Sequence, residues 1–198
     1  MPKNLDVHFS SSSDHYETPP EIIAWLEQRY QTTVTLDPCA NAENTKAPKF
    51  FIEEQNGLIQ SWHNGTEVLF PDGYFHTGSV FFNPPYSAVS QWVAKAYQEF
   101  KHFDTGNYVF GLVPARTDTK WWHEYVIDKA THIYYIKGRI KFPNRQKWPE
   151  LYPKASNGAP FPSALVVWDG MCFATTQHIA LNRAELLGLH PKKGATNA

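Results

Sequence analysis

Cysteine is nearly missing from this chain: Cys39 and Cys172 are the only two among 198 residues. Two thiols cannot build the cross-linked framework of a small secreted domain, so a reducing cytoplasm is the expected setting. Long apolar runs are missing too. No stretch approaches the ~20 residues that cross a bilayer, and the opening residues lack the apolar core of a signal peptide, so no membrane partner is expected. Charge of one sign is not in excess: 18 Lys and Arg face 19 Asp and Glu, for a net charge of −1. That balance argues against a protein that coats nucleic acid through its overall charge. The nine histidines include no pair at ligand spacing with an acid nearby, so no metal is expected. No Ser/His/Asp arrangement stands out either. Glycine, at 11 residues, is scarcer than proline, at 15, which favours stiff loops.

Hydrophobic residues make up 42% and charged residues 19%, a balance suited to one α/β domain with a real core. Residues 1–15 read as a flexible N-terminal arm, 16–190 as a single domain and 191–198 as a disordered tail. Thr18-Pro19-Pro20-Glu21 reads as a helix start, with Thr18 as cap, Pro19 in the first helical position and Glu21 at capping-box spacing. Ile22, Ile23, Leu26 and Tyr30 follow on one helical face. Short β-type runs are predicted at 33–36, 79–82, 107–113, 131–136 and 163–168, with helices at 87–103 and 117–129, the second capped by Thr117. The first of these helices turns Val89, Trp92, Val93, Ala96, Tyr97 and Phe100 inward. Residues 64–78, around Pro71-Asp72-Gly73, read as a hairpin insertion, 143–162 as a loop, and 172–176 as a strand returning on 163–168 across Asp169-Gly170. Trp121 and Trp122 read as core and rim residues, His123 and His132 as surface or cap residues. Strands alternating with helices predict a mostly parallel sheet covered on both faces. Ligands of such sheets bind beyond the carboxyl ends of the strands, where Asp37-Pro38 and Asn83-Pro84-Pro85-Tyr86 fall.

The second of these strings carries a definite chemistry. The lone pair of an aromatic amino group is delocalised into its ring and is a poor nucleophile. Two acceptors placed on its hydrogens draw the nitrogen towards a tetrahedral, more reactive geometry. Asn83 offers its side-chain carbonyl, and Pro84 a backbone carbonyl held rigid by two successive prolines. Tyr86 offers a flat face for a base swung out of its duplex. Methyl transfer from a sulfonium then needs mainly alignment. The bland alternative is that two prolines and a tyrosine simply end a strand; the β-run before them and the helix after them favour the chemical reading.

Several strings in this order resemble the phage-type DNA N6-adenine methyltransferases: Glu17-Thr18-Pro19-Pro20, Leu36-Asp37-Pro38-Cys39-Ala40 with Asn44 and Lys46 after it, Asn56-Gly57-Leu58 with Trp62, Asn83 to Tyr86, Leu112 to Thr119, and Gly138-Arg139-Ile140-Lys141-Phe142. The resemblance covers about residues 16–168. It implies a Rossmann-like S-adenosylmethionine-dependent methyltransferase fold, with a mostly parallel sheet and helices on both faces. It further implies that S-adenosyl-L-methionine donates a methyl group to a flipped adenine of double-stranded DNA, in the cytoplasm of a bacterial host cell, within a restriction-modification setting. Asn83, Pro84, Pro85 and Tyr86 would then be catalytic. Thr18, Pro19, Asp37, Pro38, Cys39, Asn44 and Asn56 would surround the cofactor, with Asp37 facing its ammonium group.

DNA contacts are expected from Arg116, Arg139, Lys141, Arg145 and Lys147, within a basic stripe that also reads as a solvated loop. The hairpin near Pro71 and the 143–162 loop are expected to add to them. The chain departs from broader methyltransferase patterns in two places: Asn41-Ala42-Glu43 stands where glycines are common, and Asn56 where an acid is common. Three readings therefore remain: a DNA adenine methyltransferase, a methyltransferase of RNA adenine or protein glutamine, and an inactive DNA-binding homologue.

Overall fold

The computed structural model describes residues 17–69, 71–103, 106–143, 156–158, 161–170 and 175–189. The strands in chain order are β1 (Val34–Asp37), β2 (Lys49–Phe50), β3 (Val68–Leu69), β4 (Phe75–His76), β5 (Ser79–Phe82), β6 (Tyr108–Pro114), β7 (His132–Lys137), β8 (Lys141–Pro143), β9 (Ser156–Gly158), β10 (Ser163–Asp169) and β11 (Gln177–Asn182). The helices are α1 (Pro20–Tyr30), α2 (Trp62–Gly65), α3 (Val89–Glu99), α4 (Lys120–Tyr125) and α5 (Arg183–Leu186). Seven strands form one sheet in the order β11-β7-β10-β6-β5-β1-β2. All run parallel except β10, which is antiparallel to both β6 and β7.

Side-chain alternation splits the core between the two faces of the sheet. Val80, Phe82, Val109, Val113, Val166 and Trp168 face a layer that holds α3 and α4. Phe81, Phe110, Leu112, Leu165 and Val167 face the layer of α1. Each large side chain fully removed from water contributes about 1.5–3 kcal/mol, so both faces have to be covered, as the near-continuous apolar strands require. Gly111 has a packing reason. A Cβ there would lie 2.7 Å from the Phe82 ring, which stacks against Trp168 at 6.2 Å.

Four expectations change in the structure. Thr18 does not cap α1; Pro19 precedes the helix with no side-chain cap, and Pro20 takes the first helical position. The second long helix shrinks to Lys120–Tyr125, preceded by Thr119 rather than Thr117. It stops because Val126 is drawn into the core and Asp128 takes a left-handed conformation, φ 55°. The strand expected at 172–176 finds no free edge on β10, which among the described residues is paired on both sides, with β6 and β7; residues 171–174 lie outside the described residues, and the next described strand, β11, lies beyond β7. His132 is neither cap nor free surface: it is partly buried against Tyr30 and Tyr134.

The expected hairpin exists as β3 and β4, and it joins the sheet at the end opposite the Asn83 loop. It enters β5 at Ser79, which pairs with Val34 at the start of β1, whereas Asn83 leaves the other end of β5. The four residues between span roughly 13 Å at about 3.3 Å each. The 143–162 loop lies mostly outside the described residues, as do the arm at 1–15 and the tail at 191–198; Ser156–Gly158 pairs with Lys141–Pro143.

Candidate active site

Beyond the carboxyl ends of β1, β2 and β5 opens a cavity of about 600 Å³. Its walls include Pro38 to Asn41 and Asn44 from the loop after β1, Phe51 to Glu54, Asn56 and Gly57 after β2, Asn83 and Pro85 after β5, and Trp92 on α3. Parallel strands that end at one level create this crevice, and the two loops meet across it.

The loop after β1 has no glycine-rich turn and uses asparagines instead. Asn41 Oδ1 accepts the N–H groups of Glu43 and Asn44 at 3.0 Å each, and Asn44 Oδ1 accepts the N–H of Asn41 at 2.8 Å. Side-chain amides thus close the turn reciprocally, as Asn does well. The close approach that a glycine permits occurs at Gly57, where a Cβ would lie 2.0 Å from the Pro38 carbonyl oxygen. Asn56 takes a left-handed φ of 49° and accepts the N–H of Leu58 at 3.2 Å. That conformation favours Asn over an acid with a longer side chain.

Asp37 lies behind the wall, 5% exposed. Its Oδ2 accepts the Lys46 N–H at 3.2 Å and its Oδ1 the Cys39 N–H at 3.4 Å. Burial raises its pKa from 3.8 to about 6, opposed by those two backbone bonds and by the Lys46 charge. The Lys46 ammonium is itself paired with Glu17 at 3.2 Å. Asp37 is therefore a buried carboxyl with no ion pair of its own among the described residues, in surroundings where a cation would be welcome. Burial also pushes the Cys39 thiol upward, as does the Asp37 charge, while the Asn83 backbone N–H on its sulfur acts the other way. Cys39 thus stands between the first loop and the Asn83 loop.

Asn83 is held from two sides. Its Nδ2 donates to Thr18 Oγ1 at 3.1 Å, and its Oδ1 accepts from the Tyr86 hydroxyl at 3.1 Å. Thr18, freed from capping, thus fixes the orientation of this amide. Pro84 is buried. Tyr86 is only 6% exposed and meets Phe161 edge to face at 4.8 Å, so its ring is a covered face and not an open shelf. The Arg116 guanidinium lies 6.0 Å from the same Phe161 ring.

Of the residues expected around a cofactor, Pro38, Cys39, Asn44 and Asn56 line the cavity, together with Asn83 and Pro85 of the Asn-Pro-Pro-Tyr string. Thr18 and Asp37 act one layer behind, through Asn83 and the first loop; Pro19 only leads into α1. Glu53, Glu54, Asn41 and Trp92 line the cavity without having been expected to. The two glutamates follow a strand of two residues, too short to leave a periodic signal. Arg116 follows the carboxyl end of β6, and Arg139 and Lys141 follow β7 with their side chains exposed while Ile140 and Phe142 are buried. Arg145 and Lys147 lie outside the described residues. Among the described residues no group of three His, Cys, Asp or Glu is arranged to hold a metal, and no helix is long and apolar enough to cross a membrane.

An α/β sheet with a ligand-sized crevice at its carboxyl edge and a rigid Asn-Pro-Pro-Tyr loop on the rim defines the general class. Comparison with known proteins gives the family. Residues 8–187 match the family described as DNA N-6-adenine-methyltransferase (Dam), and the chain belongs to that family. A DNA N-6-adenine-methyltransferase of Escherichia phage T1 is 34% identical over 127 residues, 64% of this chain and 46% of that protein. One of Haemophilus phage HP1 is 30% identical over 141 residues, 71% of this chain and 72% of that protein. The chain thus spans less than half the length of the first relative.

Proposed function

We propose that this chain transfers a methyl group from S-adenosyl-L-methionine to the exocyclic N6 of adenine in double-stranded DNA. The observation that carries this reading is the Asn83 amide, oriented by Thr18 and Tyr86 at the rim of the cavity. The sheet order supports a Rossmann-like methyltransferase fold, with one antiparallel strand set between parallel neighbours near one edge.

The cavity suits the proposed cofactor. Its volume falls in the range of about 300–1,000 Å³ typical of such sites. Asp37 offers a buried negative charge near the first loop, Glu53 and Glu54 offer carboxylates able to accept from a ribose diol, and Trp92 offers an apolar wall. When bound, the cofactor supplies an electrophilic methyl group on a sulfonium.

The remaining work belongs to the chain. Asn83 Oδ1 and the Pro84 carbonyl accept the two amino hydrogens of the target base, increasing lone-pair density on its nitrogen. Pro84 and Pro85 fix the backbone so that both acceptors keep one geometry. Tyr86 binds the base on its ring once the side chains that cover it, Phe161 among them, shift aside. The amino proton is lost to solvent after transfer, when the nitrogen has become strongly acidic. Arg116, Arg139, Lys141, Arg145 and Lys147 hold the phosphate backbone. The site stands in the bacterial host cell, where modification of phage DNA against restriction is the role this activity would serve.

Tritiated methyl transfer to unmethylated duplex DNA tests the proposal. Incorporation is expected with the native chain and not with Asn83→Ala; equal counts from the two would overturn the assignment. Parallel incubations with RNA and with protein separate the other substrates. Calorimetry with S-adenosylmethionine separates an inactive homologue, which would give no heat of binding.

A further inference from the structure

The strands β6, β7 and β11 end on the same side of the sheet as the Asn83 loop. The register places Lys137 opposite Asn182, so the chain leaves β7 and β11 at the same level. Arg183 is the next residue after Asn182. Its Nη1 donates to the carbonyl oxygen of Arg139 at 2.8 Å, tying the start of α5 to the turn after β7. That turn depends on Gly138, whose φ is 99° and beside which the Arg183 side chain lies, 3.6 Å from where a Cβ would stand. Lys137, Arg139 and Lys141 are exposed, and Arg183 is partly so. None of these four cations, nor Arg116, is in a salt bridge among the described residues. The acids nearest in sequence are Glu185 and Asp118, both exposed. Four positive charges gathered on two adjacent strand ends repel one another. The hydrogen bond to Arg139 uses one of the five N–H donors of a guanidinium.

We propose that Lys137, Arg139 and Arg183 form a single grip for the phosphodiester backbone of duplex DNA, with Arg183 both contacting phosphate and holding the Gly138-Arg139 turn in place. This rests on the DNA reading above and adds an element, the β11–α5 junction, that the sequence did not point to. Arg suits this role because its planar fork can bind a carbonyl and an anion together. The grip is separate from the cavity, so it is expected to affect DNA affinity and leave cofactor affinity unchanged.

The test is the salt dependence of binding between the full chain and a fluorescent unmethylated duplex, across roughly 50–200 mM salt, where each phosphate contact adds about 0.9 to the slope of log K against log salt. Arg183→Ala is expected to lower that slope by about 1–2 and Arg139→Ala by about 1. Lys129→Ala, an equal charge loss just before β7 at the opposite end of the sheet, is expected to leave it unchanged. Heat of S-adenosylmethionine binding and the melting midpoint report whether the variants are folded. Should Arg183→Ala fail to fold, Arg139→Ala, whose side chain is exposed, tests the same grip. A native chain that binds DNA with an unchanged slope in both arginine variants overturns the grip alone. A native chain with no affinity for DNA overturns the grip and the DNA reading together.

Discussion

The two ends of the sheet treat buried polar groups differently. At the amino end, where α3 finishes, the Glu99 carboxylate is saturated: it accepts the backbone N–H groups of Trp62 and His63 at 2.9 and 3.3 Å and pairs with Lys95. On the other face of the sheet, the hydroxyls of Tyr30 and Tyr134 bond each other at 2.9 Å. At the carboxyl end Asp37 is equally hidden, yet its pKa is raised to about 6 and it has no ion pair among the described residues. The cations after β6, β7 and β11 also lack ion pairs among the described residues. Buried polar groups that satisfy one another stabilise a fold, whereas groups left with spare capacity are stabilised by a ligand. The contrast predicts that substitutions at one end damage stability and at the other damage activity.

The sharpest break comes at the rim. Asn83→Ala is expected to lower methyl transfer by roughly 10²–10³-fold, the scale for removing one preorganised polar group from a transition state, while shifting the melting midpoint little. Radiolabel incorporation with a parallel thermal melt checks both halves. The mirror experiment is Glu99→Ala. Removing it strands two backbone N–H groups and leaves the Lys95 ammonium without its partner. The expected loss is about 2–4 kcal/mol in denaturant unfolding, with kcat per folded molecule unchanged. A stable Glu99→Ala chain with reduced kcat would erase the distinction between the ends.

Asp37 tests whether the spare capacity at the carboxyl end belongs to a cationic ligand. Asp37→Asn is expected to weaken S-adenosylmethionine binding by roughly 10–100-fold, the worth of a charge-assisted contact of about 1.5–3 kcal/mol. The native affinity should fall as pH drops through about 6, where the carboxyl protonates, and the Asn variant should lose that dependence. Calorimetry at several pH values reads both effects. The fold has the opposite preference. A carboxyl whose folded pKa is raised favours its protonated form when buried, so its contribution to stability is fully present below 3.8 and is lost as pH rises through about 6.

Much of this was legible in the sequence because it depends on local pattern. Apolar runs such as Val80-Phe81-Phe82 read as buried strands, and the Asn-Pro-Pro-Tyr string follows directly after β5, as the strand-then-loop pattern implies. What escaped depends on partners far along the chain. Thr18 has the composition of a helix cap, but its hydroxyl is 65 positions from the amide it serves. Asn41 and Asn44 are only three positions apart, and although Asn44 is expected near the cofactor, no local pattern announces the reciprocal bonds that close their turn. The antiparallel insertion of β10 between β6 and β7 takes both edges that a strand returning across Asp169-Gly170 would need, and that pairing joins residues far apart in the sequence. Tyr86 read as an open platform because exposure is set by Phe161, 75 positions away in sequence and against its ring in space.

His132 is the exception at the saturated end and gives the smallest predicted effect. It stands at the start of β7 with its ring against Tyr30 and Tyr134, and its Nδ1 is buried with no hydrogen-bond partner. Burial depresses its pKa, the Arg29 charge adds to the effect, and Asp169 opposes it. A histidine with a depressed folded pKa favours the neutral ring. Its contribution to stability is therefore present above the unfolded value near 6.5 and is lost as pH falls below that. This direction is opposite to that of Asp37, so the two residues separate by sign in one experiment. His132→Phe keeps an aromatic ring in the cluster and removes the titration. Between about pH 7 and 5 the native chain should lose more unfolding free energy than this variant, with solvent screening keeping the difference small. Equal pH slopes in urea unfolding would mean that the surroundings of His132 do not disfavour its charged ring, and the exception would disappear.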